Sequence, residues 1–271
     1  MTETPFFFPN DIKQLFGILH QPSLELSNGK GYIFIHPFAE EKLWTHLVLV
    51  NFARELTNKG YTILRFDFMG HGDSEGDFKD SNIATRLKDI EYAIKLFQQK
   101  APNVKELGLL GLRFGATLAA LACEQHPDIS KLILWEPIIG GEKYMQELLR
   151  INLATQNAVY KEIRHTREDL VQMMHDGIDA NVDGYEISYD LYSQATEINL
   201  LAESEKQFSG DCLIVQIGRT LKIKKDFETL NSIYNKSNLE LVVEEPFWKE
   251  IKTFYARATN LYKVTIEWLG E

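Results

Sequence analysis

The chain has 271 residues, 44% hydrophobic and 25% charged, with 29 Lys and Arg against 39 Asp and Glu for a net charge of −10. That apolar fraction excludes a disordered or low-complexity protein, and the acidic balance without a basic run excludes a phosphate-backbone binder. Length alone leaves one large α/β unit or two smaller domains open. Two cysteines, Cys123 and Cys212, lie in apolar runs, as reduced buried thiols of a cytoplasmic protein do. The N-terminal MTETPFFFPND lacks the basic and apolar regions of a signal peptide. The longest apolar stretch, Leu107 to Cys123, is interrupted by Arg113, which opposes a transmembrane reading.

In chain order, Phe6–Phe8 and Gln14–His20 form a leading hairpin-like pair. Gly31–His36 is a short β-rich run stopped by Pro37, the pattern of a strand buried on both faces. Trp44–Asn58 carries apolar residues at helical spacing and ends before Gly60. Tyr61–Phe68 is strand, Gly70–Gly76 is loop, and Ile83, Leu87, Ile90, Ile94 and Phe97 mark the next helix. Leu107–Leu112, Lys131–Trp135, Cys212–Ile217 and Leu239–Val243 read as further strands. Phe114–Glu124, Asp226–Tyr234 and Phe254–Leu269 read as helices.

Such alternation predicts an α/β fold with a mostly parallel sheet flanked by helices. The rhythm breaks over 140–210, predicted as a helical cap insertion with helices at Tyr144–Ile163, Glu168–His175 and Ile198–Phe208. The core is then 1–139 plus 211–271.

Gly111-Leu112-Arg113-Phe114-Gly115 spans a strand-to-helix junction with the glycine spacing of a nucleophile elbow, Arg113 standing where Ser is usual. His36-Pro37-Phe38 ends an earlier strand where an oxyanion loop would sit. Asp67-Phe68-Met69-Gly70-His71-Gly72-Asp73-Ser74 matches an Asp-x-x-Gly-x-Gly-x-Ser loop. On these residues the chain resembles the α/β-hydrolases over nearly its whole length. It resembles more narrowly the hydrolase-like proteins of exosortase A systems in bacteria that make exopolysaccharide. That likeness is carried by His36-Pro37-Phe38-Ala39-Glu40-Glu41-Lys42, Gly111-Leu112-Arg113, Trp135-Glu136-Pro137, Pro246-Phe247-Trp248 and Leu149-Arg150-Ile151. Members of that group also carry Arg at the elbow.

The resemblance implies a Ser-His-acid triad whose positions can be checked in turn. An arginine stays protonated and is neither nucleophile nor base. Past the seventh strand, Arg219 to Lys225 holds no acid. Past the last strand stands Glu244-Glu245-Pro246-Phe247-Trp248, and no His follows His175. A serine-hydrolase mechanism is rejected on these residues. Cys123, ten residues along the elbow helix and about 15 Å away at the helical rise, does not substitute. Cys212 opens its strand at the far end of the sheet.

Arg113 at a helix N-terminus favours negative charge, and the resemblance places the Phe38 and Phe114 backbone N–H groups at oxyanion positions. Two partners are open: an internal carboxylate, Glu136 or Glu41, or a small-molecule ligand of anionic character. Two functions follow. One is a non-catalytic or small-anion-binding homologue linked to exopolysaccharide systems. The other is an unconventional hydrolase or acyltransferase in which Arg113 polarises substrate while Glu136, Glu41 or His36 activates water.

Trp248 and Glu40 are candidate pocket walls. His71, Asp73 and Ser74 read as turn residues, and Tyr185, Tyr189 and Tyr192 as cap packing or a carbohydrate-facing surface. His165 and His175, with Asp169 and Asp176, lack metal-ligand spacing. No P-loop, dinucleotide fingerprint or Cys-x-x-Cys pair occurs, so no cofactor is expected.

Overall fold

The computed structural model describes residues 1–203, 205–250 and 255–270. Among the described residues, ten strands and eight α-helices follow one another along the chain. Eight strands form one sheet in the spatial order β1-β2-β4-β3-β5-β6-β9-β10. They are β1 (Thr2–Pro9), β2 (Gln14–Gln21), β3 (Lys30–Ile35), β4 (Thr62–Phe66), β5 (Glu106–Leu112), β6 (Ile129–Trp135), β9 (Asp211–Gly218) and β10 (Ser237–Val243). β1 pairs antiparallel with β2, and β2 antiparallel with β4. The remaining pairs are parallel. Parallel neighbours need crossover helices, and these cover both faces.

α1 (Glu40–Asn58) and α8 (Thr259–Gly270) cover one face. α2 (Ile83–Lys100), α3 (Phe114–Cys123) and α7 (Lys225–Ile233) cover the other. α1 buries Val48, Phe52 and Leu56 completely, each stabilising by about 1.5–3 kcal/mol. α2 begins with a capping box between Asn82 and Thr85, which satisfies two of its free N–H groups. α1 starts four residues before the expected Trp44, because Glu40 and Glu41 form a first turn that favours acidic side chains. Phe254, placed by the sequence at the start of the last helix, lies outside the described residues.

The segment between β6 and β9 contains α4 (Gly141–Tyr160), α5 (Arg167–His175), β7 (Ala180–Val182), β8 (Tyr185–Ile187) and α6 (Tyr189–Thr196). Two expectations fail there. The segment is not wholly helical: β7 and β8 form an antiparallel hairpin. Asp183 and Gly184 both adopt positive φ, 50° and 90°, as a two-residue hairpin turn requires. Nor are the described residues of the span Ile198–Phe208 helical. The Leu200 N–H donates to Ile139 O, and Asn199 bridges Gly140. Those backbone groups pair with the exit of β6 rather than with a helical turn. No helix among the described residues is long and apolar enough to cross a membrane.

Three imidazoles are buried in the core: His20, His36 and His71. Burial lowers the His36 pKa to about 3 and the His20 pKa to about 4, and holds His71 well below its ordinary value. Each must take up a proton on unfolding as pH falls below the ordinary imidazole value of 6.5. Their stabilisation is therefore present above pH 6.5 and is lost as pH falls, at about 1.4 kcal/mol per pH unit for each imidazole. His36→Asn is expected to flatten the stability-against-pH profile between pH 4 and 6.5 by roughly that slope. Urea unfolding of both proteins across that interval measures it; parallel profiles would show that His36 titrates normally.

Candidate functional site

Three non-glycine residues with positive φ sit at the carboxyl edge of adjacent strands: Ala39 (48°) after β3, Arg113 (56°) after β5 and Glu136 (43°) after β6. Strain of this kind persists only where the surroundings enforce it. At Arg113 they do. β5 turns directly into α3, and the Arg113 N–H donates to Trp135 O. A Cβ on Gly111 would lie 2.4 Å from Ala116 Cα, and one on Gly115 would lie 2.3 Å from Ile35 O. The two glycines let the helix come down onto β5 and β3, which forces the sharp turn between them.

That turn aims the Arg113 side chain at the first turn of α1. Nε and Nη2 donate to a single oxygen of Glu41, Oε1, at 3.2 and 3.1 Å. The guanidinium lies 4.8 Å from the Trp248 ring centroid and 5.8 Å from that of Tyr144. Both charged side chains are largely enclosed, 14% and 16% exposed. Burial disfavours the Arg113 charge, but Glu41, Tyr144 and Glu136 outweigh it and raise the pKa. Burial raises the Glu41 pKa although Arg113 opposes it. Glu41 Oε2 and the Tyr144 hydroxyl have no partner of hydrogen-bond geometry, although the two groups are neighbours.

Of the two carboxylates open as partners for Arg113, Glu41 takes the role. Glu136 is otherwise engaged: Oε2 accepts the buried Ile217 N–H at 2.6 Å and Oε1 accepts Lys224 Nζ at 2.7 Å. His36 is engaged too. Nδ1 donates to Pro37 O at 2.7 Å, and Nε2 accepts the Phe68 N–H at 3.4 Å. That tautomer leaves no ring nitrogen for water activation. Of the proposed bases Glu41 is the one that hydrogen-bonds Arg113 among the described residues.

A cavity of about 560 Å³ opens between the strand ends and the inserted segment, lined by Phe38, Glu40, Glu41, Arg113 and Trp248. The predicted walls Trp248 and Glu40 are both there. Phe114 lies behind, its ring stacked on Tyr144 at 5.3 Å. Neither the Phe38 nor the Phe114 N–H donates to a protein acceptor among the described residues; Phe38 lines the cavity and Phe114 does not. Beneath Phe38 lies the buried Arg86 guanidinium, 5.0 Å from the ring centroid; burial lowers its pKa to about 10.

The lining also includes Trp44, Tyr144, Glu147, Asp183, Lys249 and Glu250, which sequence reading did not single out. Tyr144 could have been found from its place one turn into the helix that follows β6. Asp183 could have been found from the Asp-Gly pair. Among the described residues of the lining, five carboxylates thus stand with two cations, and one of those cations is already paired with Glu41. Among the described residues the lining carries no surplus of positive charge, because the hairpin and α4 bring acids that the core motif does not contain.

The other candidates lie apart from this cavity. Asp73 and Ser74 serve the loop: the Asp73 N–H donates to Asp67, and Ser74 Oγ donates to Asp67 O and accepts the Phe16 N–H. Cys123 and Cys212 are buried free thiols whose pKa values burial raises. Asp169 caps α5 through Thr166, and His175 pairs with Asp176 in solvent. Tyr192 accepts from Gln146, and Tyr189 packs edge-on to His175.

Comparison with known proteins fits this architecture. Residues 34–204 match the family model for serine aminopeptidase, S33. A ferulic-acid-bound Est1E from Butyrivibrio proteoclasticus superposes with a TM-score of 0.67 at 17% identity, covering 97% of this chain and 96% of that one. The Pyrococcus furiosus esterase Pf2001 gives 0.66 at 17% identity over 99% and 90%. An alpha-beta serine hydrolase homologue from Coxiella burnetii gives 0.61 at 16% identity over 99% and 98%. An uncharacterized protein of Rickettsia prowazekii, RP471, is 32% identical over 105 residues, 39% of this chain and 43% of that relative. The chain belongs to the serine aminopeptidase S33 family and has the α/β-hydrolase fold.

Proposed function

We propose that this chain is a binding member of its family without serine-hydrolase turnover, with the inserted segment acting as a cap over a small-molecule site beside Arg113. The observation that carries the reading is the Arg113–Glu41 ion pair, which occupies the turn between β5 and α3 where the family mechanism needs an attacking hydroxyl. A guanidinium neither attacks nor accepts a proton at working pH. Trp248 lies over it, in the stretch after β10 where a catalytic His would belong. The ligand that suits the lining is uncharged or rich in hydroxyl donors, because carboxylates and aromatic faces dominate it. The resemblance carried by His36–Lys42 and Trp135–Pro137 supports a role in exopolysaccharide systems.

The second reading, an unconventional hydrolase or acyltransferase, narrows to Glu41 as the proton acceptor, because Glu136 and His36 are spent on other partners. The two readings separate on an ester and amide panel with wild type, Arg113→Ser and Glu41→Gln, together with a fluorophosphonate probe. The binding reading expects no labelled serine, no turnover, and no activity created by Arg113→Ser, since a lone hydroxyl lacks its base. Turnover abolished by Glu41→Gln would establish the enzymatic reading. A probe-labelled serine in the wild type would overturn both.

A further inference from the structure

A second cavity, about 520 Å³, lies between α1 and the sheet face formed by β2, β4 and β3. It is separate from the Arg113 cavity: α1 sends Glu41 and Trp44 to that one, and Lys42, His46 and Leu49 to this one.

Its centre is Arg65. Across the sheet Arg65 is paired with Ile18 on β2 and with Phe34 on β4's other neighbour, β3. A cation therefore stands between two apolar side chains on a sheet face under a helix. Nε donates to His20 Nε2 at 3.0 Å, a neutral acceptor. No carboxylate lies within ion-pair distance of Arg65 among the described residues, and its terminal nitrogens donate to no protein group there. The nearby acids are committed elsewhere. Glu3 receives the fork of Arg54, and Asp67 is held by Lys42 Nζ at 2.6 Å and by the Asp73 N–H. Asp73 is exposed at the rim beside Gly72, and His36 is neutral with both nitrogens used. His46, at the mouth, has its charged form disfavoured by burial and by Arg65 and Lys42, as expected in a locally positive space. The remaining side-chain wall is apolar: Phe16, Ile18, Phe34, Leu43 and Leu49.

A guanidinium fork with no acid partner, at one end of an apolar cavity of ligand size, matches one kind of molecule. We propose that this cavity is a second binding site, taking a monocarboxylic acid with an apolar body, its carboxylate on Arg65 and its hydrocarbon or aromatic portion against Phe16, Ile18 and Phe34. Lys42 and Asp67 stay paired and form the polar wall beside the carboxylate. Gly72 keeps that wall in place, since a Cβ there would lie 2.0 Å from Asp67 Oδ2.

The test is calorimetric titration with sodium decanoate below its micelle concentration, against decanol and sodium acetate. Saturable one-site binding of decanoate is expected, weaker for decanol and for acetate by at least about tenfold, as befits loss of the charge or of the apolar body. A benzoate arm distinguishes an aromatic from an aliphatic body. Arg65→Met should weaken decanoate by about tenfold or more, and Trp248→Ala, in the other cavity, should leave it unchanged. Should Arg65→Met fail to fold, the His46 titration followed by NMR in the wild type decides: bound decanoate must raise its pKa. No decanoate binding, binding that leaves the His46 titration unmoved, or binding that survives Arg65→Met and disappears in Trp248→Ala would overturn the site.

Discussion

Gly115→Ala is expected to destabilise the fold by about 3 kcal/mol or more, the upper range for overpacking. The added methyl would meet backbone oxygens, Ile35 O at 2.3 Å and His36 O at 2.4 Å, and neither can swing aside as a side chain does. Relief requires α3 to move off β3 and β5, and α3 is buried along almost its whole length. The same displacement would open the Arg113 turn and the Phe38 loop, so ligand binding at the Arg113 cavity should fall with stability. Urea unfolding of wild type and variant measures the loss. A difference below about 1 kcal/mol would show that the helix gives way easily and that the close approach does not maintain the turn.

Glu41→Ala is expected to cost about 3 kcal/mol, the lower end of the range for stranding a buried charge. The lower end applies because the pair borders an open cavity, where water reaches the exposed 14% of Arg113. Arg113→Met should cost a similar amount through the abandoned carboxylate, whose pKa burial already raises. The double variant Arg113→Met/Glu41→Ala should recover most of the loss, since both charges are then gone and Met keeps its contact with Trp248. A double-mutant cycle from chemical denaturation reports the coupling, expected at about 2–3 kcal/mol. Additive losses would mean that the Arg113 charge is met elsewhere, and the binding reading would lose its anchor.

Much of the fold is legible from pattern alone. Gly31–His36, Leu107–Leu112 and Cys212–Ile217 are apolar runs of strand length, and in a parallel sheet such runs have both faces covered. The spacing of Ile83, Leu87, Ile90, Ile94 and Phe97 marks α2 because one helix face must be apolar to reach the sheet. The inserted segment was less legible. β7 and β8 are three residues each, shorter than any alternation that could announce them, and only Asp183-Gly184 marks the turn. Ile198–Phe208 looked helical because apolar spacing does not reveal that its amides are taken by the exit of β6.

By itself the sequence determined the alternating architecture and placed a cation between Gly111 and Gly115, since both follow from local periodicity and from the size of a Cβ. The tertiary structure alone decided that Arg113 pairs with Glu41 and that Glu136 answers to Lys224 and Ile217 instead. It also decided that the surrounding cavity is rich in carboxylates, and that Arg65 faces a separate hollow without an ion-pair partner among the described residues, the Asp67 beside it being held by Lys42. These are contacts between chain segments tens of residues apart, or more. Their partners are chosen by which strand ends and helix starts meet at the carboxyl edge, a choice no spacing within a single segment encodes.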